Sequence, residues 1–103
     1  MTLGELLDAA ADDLSTPVDR RVAADGSVEF AHAGTVFAAL DAAGRTASFR
    51  LDDVLAAAAQ RTPDAAASPR GRPWVAFTPA ELDGHAVDRA QAWFAAAHRR
   101  AAG

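Results

Sequence analysis

Three arginines and a tryptophan near the stretch SPRGRPWVAF (residues 68–77) are the side chains best suited to binding chemistry in this sequence. Arg61, Arg70 and Arg72 lie in or beside a segment rich in Pro and Gly, and Trp74 follows closely. Because guanidinium groups pair with phosphates and an indole ring stacks on bases, this grouping is typical of a nucleic-acid-binding surface. It is also compatible with a solvated loop that leads into a buried strand, and the rest of the chain favours this second interpretation.

The orientation of Trp74 separates these two interpretations. The segment WVAF predicts a short strand, in which either Trp74 and Ala76 or Val75 and Phe77 face the core. In the first arrangement Trp74 is core and the arginines form a solvated rim, whereas in the second Trp74 is exposed beside them. We favour the first, because tryptophan in a small chain usually packs inside. The formal net charge of −4 also disfavours binding to a polyanion.

A second group of candidate residues lies on the last helical segment. Glu81, His85 and Asp88 follow one another at i, i+4 and i+7, so one helix side would carry two carboxylates and an imidazole. Zinc sites on helices instead pair two histidines at i, i+4, so a solvated face is the favoured interpretation. His98 is predicted to lie on the outer face near the helix end, and His32 to be a half-buried turn histidine.

No pattern of residues predicts catalysis. The sequence has neither cysteine nor lysine, which excludes thiolate and lysine chemistry. Ser48 lies within a predicted strand and Ser68 before a proline, so neither sits in a nucleophile elbow, and no Gly-rich loop opens a helix. Helix capping explains the acidic pair at 52–53, and solvation is enough to explain the pair at 12–13. We therefore predict no catalytic residue, no metal ligand and no cofactor.

The elements that position these residues occur in the order α-β-β-β-(β)-α-β-α, within a single α+β domain that spans residues 1–103. A capping box at Thr2 and Glu5 opens an amphipathic helix that stops before Pro17, and an Asp-Gly pair at 25–26 marks a hairpin. The later elements are strands over 18–24, 27–32, 35–40 and 46–51, a helix over 53–61, a loop over 62–73, a strand over 74–77 and a helix from 78 to 101. The alternating strands indicate an antiparallel meander sheet with helices packed on one face.

The last helix is predicted to open with a second capping box, Thr78 and Glu81 around Pro79, although Gly84 weakens its first turns and allows a later start. The apolar positions of all elements predict one core. Its members are Leu6, Leu7, Leu14, Val28, Phe30, Leu40, Phe49, Leu51, Leu55, Phe77, Val87, Trp93 and Phe94.

The overall composition predicts a soluble cytoplasmic protein. A chain of 103 residues is enough for one domain. No apolar run reaches the length of a membrane span, and the acidic N-terminal segment lacks the basic region of a signal peptide. The abundance of alanine and arginine indicates a GC-rich bacterial genome.

The segments HAGTVFAAL and GRPWVAF resemble the MmcQ/YjbR-like family of small bacterial domains. The matching residues are Gly34, Phe37 and Ala38 in the first segment and Arg72, Trp74 and Val75 in the second. The resemblance spans about residues 16–101 and implies a chain closed by a helix. Thr35 stands where the family has lysine, and Trp93-Phe94 lie near the place of its Ser-Tyr pair. Members are often labelled DNA-binding, and their fold is similar to that of secretion chaperones, which bind protein partners.

We therefore expect a non-catalytic binding or interaction module. Its partner would be another protein or a second copy of the chain, as in a homodimer. The alternative is a nucleic-acid-binding domain that uses the loop arginines Arg61, Arg70 and Arg72 together with Trp74.

Overall fold

The computed structural model describes all residues from Met1 to Gly103 and confirms a single α+β domain with an antiparallel sheet. Three helices accompany six strands. In chain order the elements are α1 (Leu3–Asp12), β1 (Asp19–Val22), β2 (Val28–His32), β3 (Thr35–Leu40), β4 (Ala47–Arg50), α2 (Asp53–Ala59), β5 (Ala65–Ala67), β6 (Trp74–Phe77) and α3 (Gly84–Ala102).

The sheet has the strand order β1-β2-β3-β4-β6-β5, so the first four strands form the predicted meander. Strand β5, Ala65–Ala67, falls inside the segment that the sequence predicts as loop, and it pairs antiparallel with β6. Three alanines have a low intrinsic preference for strands. The strand forms because β6 supplies a complete hydrogen-bonding partner beside it, and this pairing turns the 68–73 segment into a hairpin loop.

Local capping sets the ends of the helices. The Thr2–Glu5 capping box is present, with Glu5 N donating to Thr2 Oγ1 at 3.1 Å and Thr2 N to Glu5 Oε1 at 2.8 Å. The second predicted box is wrong, because α3 begins only at Gly84, with Asp83 Oδ1 accepting from Ala86 N at 2.9 Å. Thr78 instead bonds the Thr46 hydroxyl at 2.8 Å. The carboxylate of Asp83 therefore replaces Thr78 as the cap.

A bulge in β3 explains why the neighbouring residues Phe37 and Ala38 both face the core, in a strand whose last four residues are all buried. Phe30 pairs with Ala38, but the next residue of β2, Ala31, pairs with Val36. Phe37 is therefore the extra residue of a β-bulge. Both Phe37 and Ala38 belong to the core cluster, and the Phe37 ring lies edge-on to Phe94 of α3 at 5.3 Å.

The three helices contribute to one apolar cluster on a single face of the sheet. It contains 19 buried residues from helices and strands. Every residue predicted for the core belongs to this cluster or packs against it. Its largest fully buried side chains are Phe30, Phe37, Phe49, Phe77, Phe94, Leu6, Leu7, Leu51 and Val75. The opposite face of the sheet has no helix, and we call it the open face.

The predicted surface position of His98 is wrong. This residue is 7% exposed, and its Nε2 lies 2.9 Å from the Thr16 hydroxyl. Its ring is edge-on to His32 at 5.3 Å and to Phe37 at 5.4 Å. Burial, followed by the nearby His32 and Arg99, lowers the pKa of His98. The imidazole thus lies buried at the rim of the core, and its hydrogen bond to Thr16 links α3 to the segment between α1 and β1.

Candidate functional site

Strand β6 places Trp74 on the open face, not in the core. Val75 and Phe77 are fully buried, whereas Trp74 and Ala76 are partly exposed. The favoured sequence interpretation, in which Trp74 faces the core, is therefore wrong. Alternation decides the matter, because Phe77 pairs with Ala47 of β4 on the helix-covered face and fixes the phase of the whole strand.

The loop of residues 68–73 folds back over the open face. Ser68 N donates to Trp74 O at 3.2 Å, Gly71 N to Ser68 O at 3.1 Å, and Trp74 N to Gly71 O at 2.9 Å. Gly71 has a φ of +105°, a conformation that favours glycine. The Ser68 hydroxyl lies 3.3 Å from that of Ser48 on β4, which attaches the loop to the sheet.

Arg70 extends from this loop across the sheet as far as β2. Its Nη1 donates to Glu29 Oε2 at 3.1 Å, and its guanidinium carbon lies 5.2 Å from the centre of the Trp74 ring. Arg21 approaches the other oxygen of Glu29 at 3.8 Å. Glu29 therefore compensates much of the Arg70 charge, and Arg70 already occupies one side of the indole ring.

Between the loop and the sheet lies a groove of about 540 Å³, which we call the open-face groove. Ala39 and Ser48 line it and are 3% and 8% exposed, although no helix covers this side of the sheet. The 68–73 loop therefore encloses part of the sheet surface. The other lining residues are Asp25, Ser27, Leu40, Asp41, Thr46, Ser68, Pro69 and Arg70.

Two turn carboxylates border the groove, and each has one oxygen without a hydrogen bond. Asp25 Oδ1 accepts from the Ser27 hydroxyl at 2.6 Å and from Ser27 N at 2.9 Å. These bonds lower the pKa of Asp25, the hydroxyl bond contributing most. Asp41 Oδ1 accepts from Arg45 N at 2.8 Å and from Thr46 N at 3.1 Å. In both residues Oδ2 remains available to a ligand.

The charged residues lining the groove sum to −1, from two carboxylates and the guanidinium of Arg70. The carboxylates have only neutral hydrogen-bond donors, whereas the guanidinium is paired with Glu29. A cationic or zwitterionic ligand would find complementary charge here, with the hydroxyls of Ser48 and Ser68 beside it.

The four residues predicted as a nucleic-acid surface are only partly brought together. Arg72 and Trp74 line a second cleft of about 440 Å³ beside α2, and Arg70 stacks on Trp74 from the groove side. Arg50 is directly opposite Trp74 in the sheet register. Arg61 follows the end of α2 and lines neither cleft. Arg50, and not the predicted Arg61, is therefore the third arginine near the indole ring of Trp74.

The other candidate group, Glu81, His85 and Asp88, does not form a continuous helix side. All three residues are exposed, and Glu81 precedes the first residue of α3. No group of three His, Asp or Glu side chains in the chain could hold a metal ion.

Sequence reasoning missed Asp25 and Asp41 as site residues, although a signal for them exists. Each lies in a turn of the predicted meander, the first between β1 and β2 and the second between β3 and β4. In an up-and-down sheet, alternate turns lie at the same end. The two carboxylates could therefore have been placed side by side, but the arrival of the 68–73 loop above them could not.

Comparison with protein-family models, characterised proteins and solved structures finds no match to this chain. No helix is both long enough and apolar enough to span a membrane.

Proposed function

We propose that this chain is a non-catalytic binding module and that its ligand is a basic segment of a protein partner. The observation that carries the proposal is the open-face groove with the free Oδ2 atoms of Asp25 and Asp41 at its border. An ammonium or guanidinium group of the partner would pair with these oxygens, and the polypeptide would lie along the face that has no helix.

Electrostatics supports a basic partner over an acidic one. Hydrogen bonds from Ser27 keep the pKa of Asp25 below its ordinary value, so this carboxylate stays ionised at neutral pH. The net charge of −4 adds a long-range attraction for cations.

The resemblance to the MmcQ/YjbR-like family supports the same class of function. The fold of that family is similar to that of secretion chaperones, which bind protein partners. The matching residues Arg72, Trp74 and Val75 belong to β6 or to the loop that precedes it, and this loop covers the groove.

The proposal is tested by titrating the chain with a short lysine-rich peptide, followed by calorimetry and by amide chemical shifts. We expect shifts at the groove, and we expect Asp41→Asn to weaken binding about tenfold, which corresponds to roughly 1.4 kcal/mol. Asparagine keeps the Oδ1 acceptor of the turn, removes the charge and replaces Oδ2 with an amide nitrogen that cannot accept a hydrogen bond. Asp88→Asn, on the exposed side of α3, is the matched control and should bind like the parent chain. Equal affinities for the two variants would contradict the proposal.

Nucleic-acid binding is the second candidate, and the partly exposed ring of Trp74 with Arg50, Arg70 and Arg72 nearby is what favours it. It requires Arg70 to leave both Glu29 and the indole ring, which is why we rank it second. A single-stranded oligonucleotide would then bind with a steep salt dependence.

Replacing Arg61, Arg70 and Arg72 together by alanine would flatten that salt dependence, while Trp74→Ala would cost about 1–3 kcal/mol of affinity. We expect no micromolar complex even at low salt. A salt-sensitive complex that the triple variant abolishes would promote this candidate over the first.

A further inference from the structure

Strand β1 forms one edge of the sheet, and all four of its residues are exposed. Edge strands carry unpaired backbone N–H and C=O groups, to which a strand of another chain can bond. Val22 at the end of β1 is 69% exposed, one of three large apolar residues so exposed in the chain. This edge therefore combines free backbone groups with an uncovered apolar side chain.

The hairpin geometry shows which backbone groups are free. Ala23 N donates to Ser27 O at 2.8 Å, so this pair is hydrogen-bonded at the end of the β1–β2 ladder. In an antiparallel ladder, hydrogen-bonded and non-hydrogen-bonded pairs alternate. Counting back from Ala23, the backbone groups of Val18, Arg20 and Val22 point away from β2, toward solvent.

We propose that β1 pairs with the β1 of a second copy of this chain, antiparallel and about a twofold axis at Arg20, so that two sheets become one. Each Arg20 then exchanges its N–H and C=O with its symmetry mate. Val18 of each copy pairs in the same way with Val22 of the other. All the outward groups identified on the edge are used, and the exposed Val22 gains an apolar neighbour.

Charge complementarity selects this register among those that symmetry allows. A twofold axis perpendicular to the sheet places the covered faces of both copies on the same side. Such an axis must pair one residue with its own symmetry mate, because an axis midway between two successive residues would pair side chains that point to opposite faces. With the axis at Arg20, Asp19 of each copy lies opposite Arg21 of the other on the open face. An axis at Asp19 would oppose two carboxylates, and an axis at Arg21 would oppose two guanidinium groups while placing Asp19 opposite the uncharged Ala23.

Each of the two Arg20 side chains that meet at the axis has a carboxylate of its own chain beside it. Arg20 Nε donates to Asp8 Oδ1 at 3.0 Å within each chain. Arg20 lies on the helix-covered face, because it pairs with Phe30. The central pair therefore brings together two ion pairs and not two bare cations, whereas Asp19 makes no ion pair within its own chain and remains available.

The other edge of the sheet is less suited to a symmetric interface. Strand β5 has three residues, all alanine, so it offers neither charge nor a large side chain to fix a register. The β1 edge lies at the opposite end of the sheet from β5 and uses none of the groove carboxylates. The dimer proposal and the proposal of a ligand groove can therefore fail independently of each other.

The test is the molar mass of the full chain, measured by sedimentation equilibrium over a wide concentration range. We expect a mass that rises with concentration toward twice 10.6 kDa. Arg20→Pro removes an outward N–H and no bond to β2, so it should hold the chain at the mass of a monomer. Arg20→Ala is the matched control, because it loses the same bond to Asp8 but keeps the N–H, and it should still dimerise. Circular dichroism should show that both variants are folded.

A charge reversal tests the register and does not depend on proline being tolerated. Asp19→Arg should weaken the dimer at least tenfold, since it opposes two guanidinium groups, and adding Arg21→Asp to the same chain should restore it. A parent chain that is monomeric throughout would overturn the proposal, and so would dimerisation of folded Arg20→Pro. Dimerisation that ignores both charge changes would overturn the register.

Discussion

The two tryptophans of the chain lie on opposite faces of one sheet, and their surroundings differ in kind. Trp93 of α3 is 6% exposed and packs against Phe77 at 5.2 Å and Phe49 at 6.1 Å. Trp74 of β6 is partly exposed, and its ring faces the guanidinium of Arg70. Apolar burial holds the covered face together, whereas ion pairs and hydrogen bonds arrange the open face. Stability should therefore depend mainly on the first face, which leaves the second free for recognition.

The largest expected effect comes from exchanging each tryptophan for alanine. Trp93→Ala removes a buried ring from among packed aromatic neighbours and leaves a cavity, so it should lower the free energy of unfolding by about 3–5 kcal/mol. Trp74→Ala removes a partly exposed ring and one cation–π contact, and should cost only about 1 kcal/mol. Urea denaturation measures both.

Asp88→Ala, on the exposed side of α3, serves as the baseline for this pair and should change the free energy of unfolding by less than about 0.5 kcal/mol. Losses of similar size for the two tryptophans would mean that the open face contributes to stability as much as the covered one. The distinction between a stabilising face and a recognition face would then fail.

Much of the covered face follows from the sequence, because its residues repeat with the periods of helix and strand. Phe49 of β4 and Leu51 just after this strand alternate with polar residues, and Trp93 and Phe94 belong to the apolar side of α3, so their burial could be predicted. The position of Phe37 in a bulge breaks that alternation and gives no local signal. The sequence predicts His98 on the outer face near the helix end, where it would complement the helix dipole, but Thr16, 82 positions earlier, supplies its hydrogen bond at a buried position.

The open face was harder to predict, because its arrangement depends on contacts between distant segments. Arg70 reaches Glu29 across 41 positions of sequence, and Ser48 meets Ser68 across 20. The face on which Trp74 lies depended on the register of β6 against β4, which the four letters WVAF leave open. Local sequence patterns identified residue types suited to binding but could not show which of these residues lie together in the folded chain.

A smaller effect is expected from Glu29→Gln, which tests whether ion pairs arrange the open face. This change leaves Arg21 and Arg70 close together without their shared carboxylate, so we expect a loss of about 1 kcal/mol in urea denaturation. The matched control is Asp8→Asn on the other face, which breaks the pair with Arg20. Both side chains of that pair are about half exposed, so its loss should stay under about 0.5 kcal/mol. A larger effect for Asp8→Asn would reverse this ranking of the two pairs.

The smallest expected effect is a pH dependence of the free energy of unfolding, and it arises from His98 on the covered face. Burial lowers the pKa of His98, so the folded chain holds this imidazole neutral while the unfolded chain protonates it below about pH 6.5. The unfolded state then binds more protons, and the free energy of unfolding should fall as the pH drops from about 6.5 toward the folded pKa, with no change from this group above that range. The lowered pKa values of Asp25 and Glu5 act only in a more acidic range, below their ordinary values. Denaturation midpoints of His98→Phe should be flatter across the first range, whereas exposed His85→Gln should follow the parent chain. An unchanged slope in His98→Phe would assign the pH response to another group.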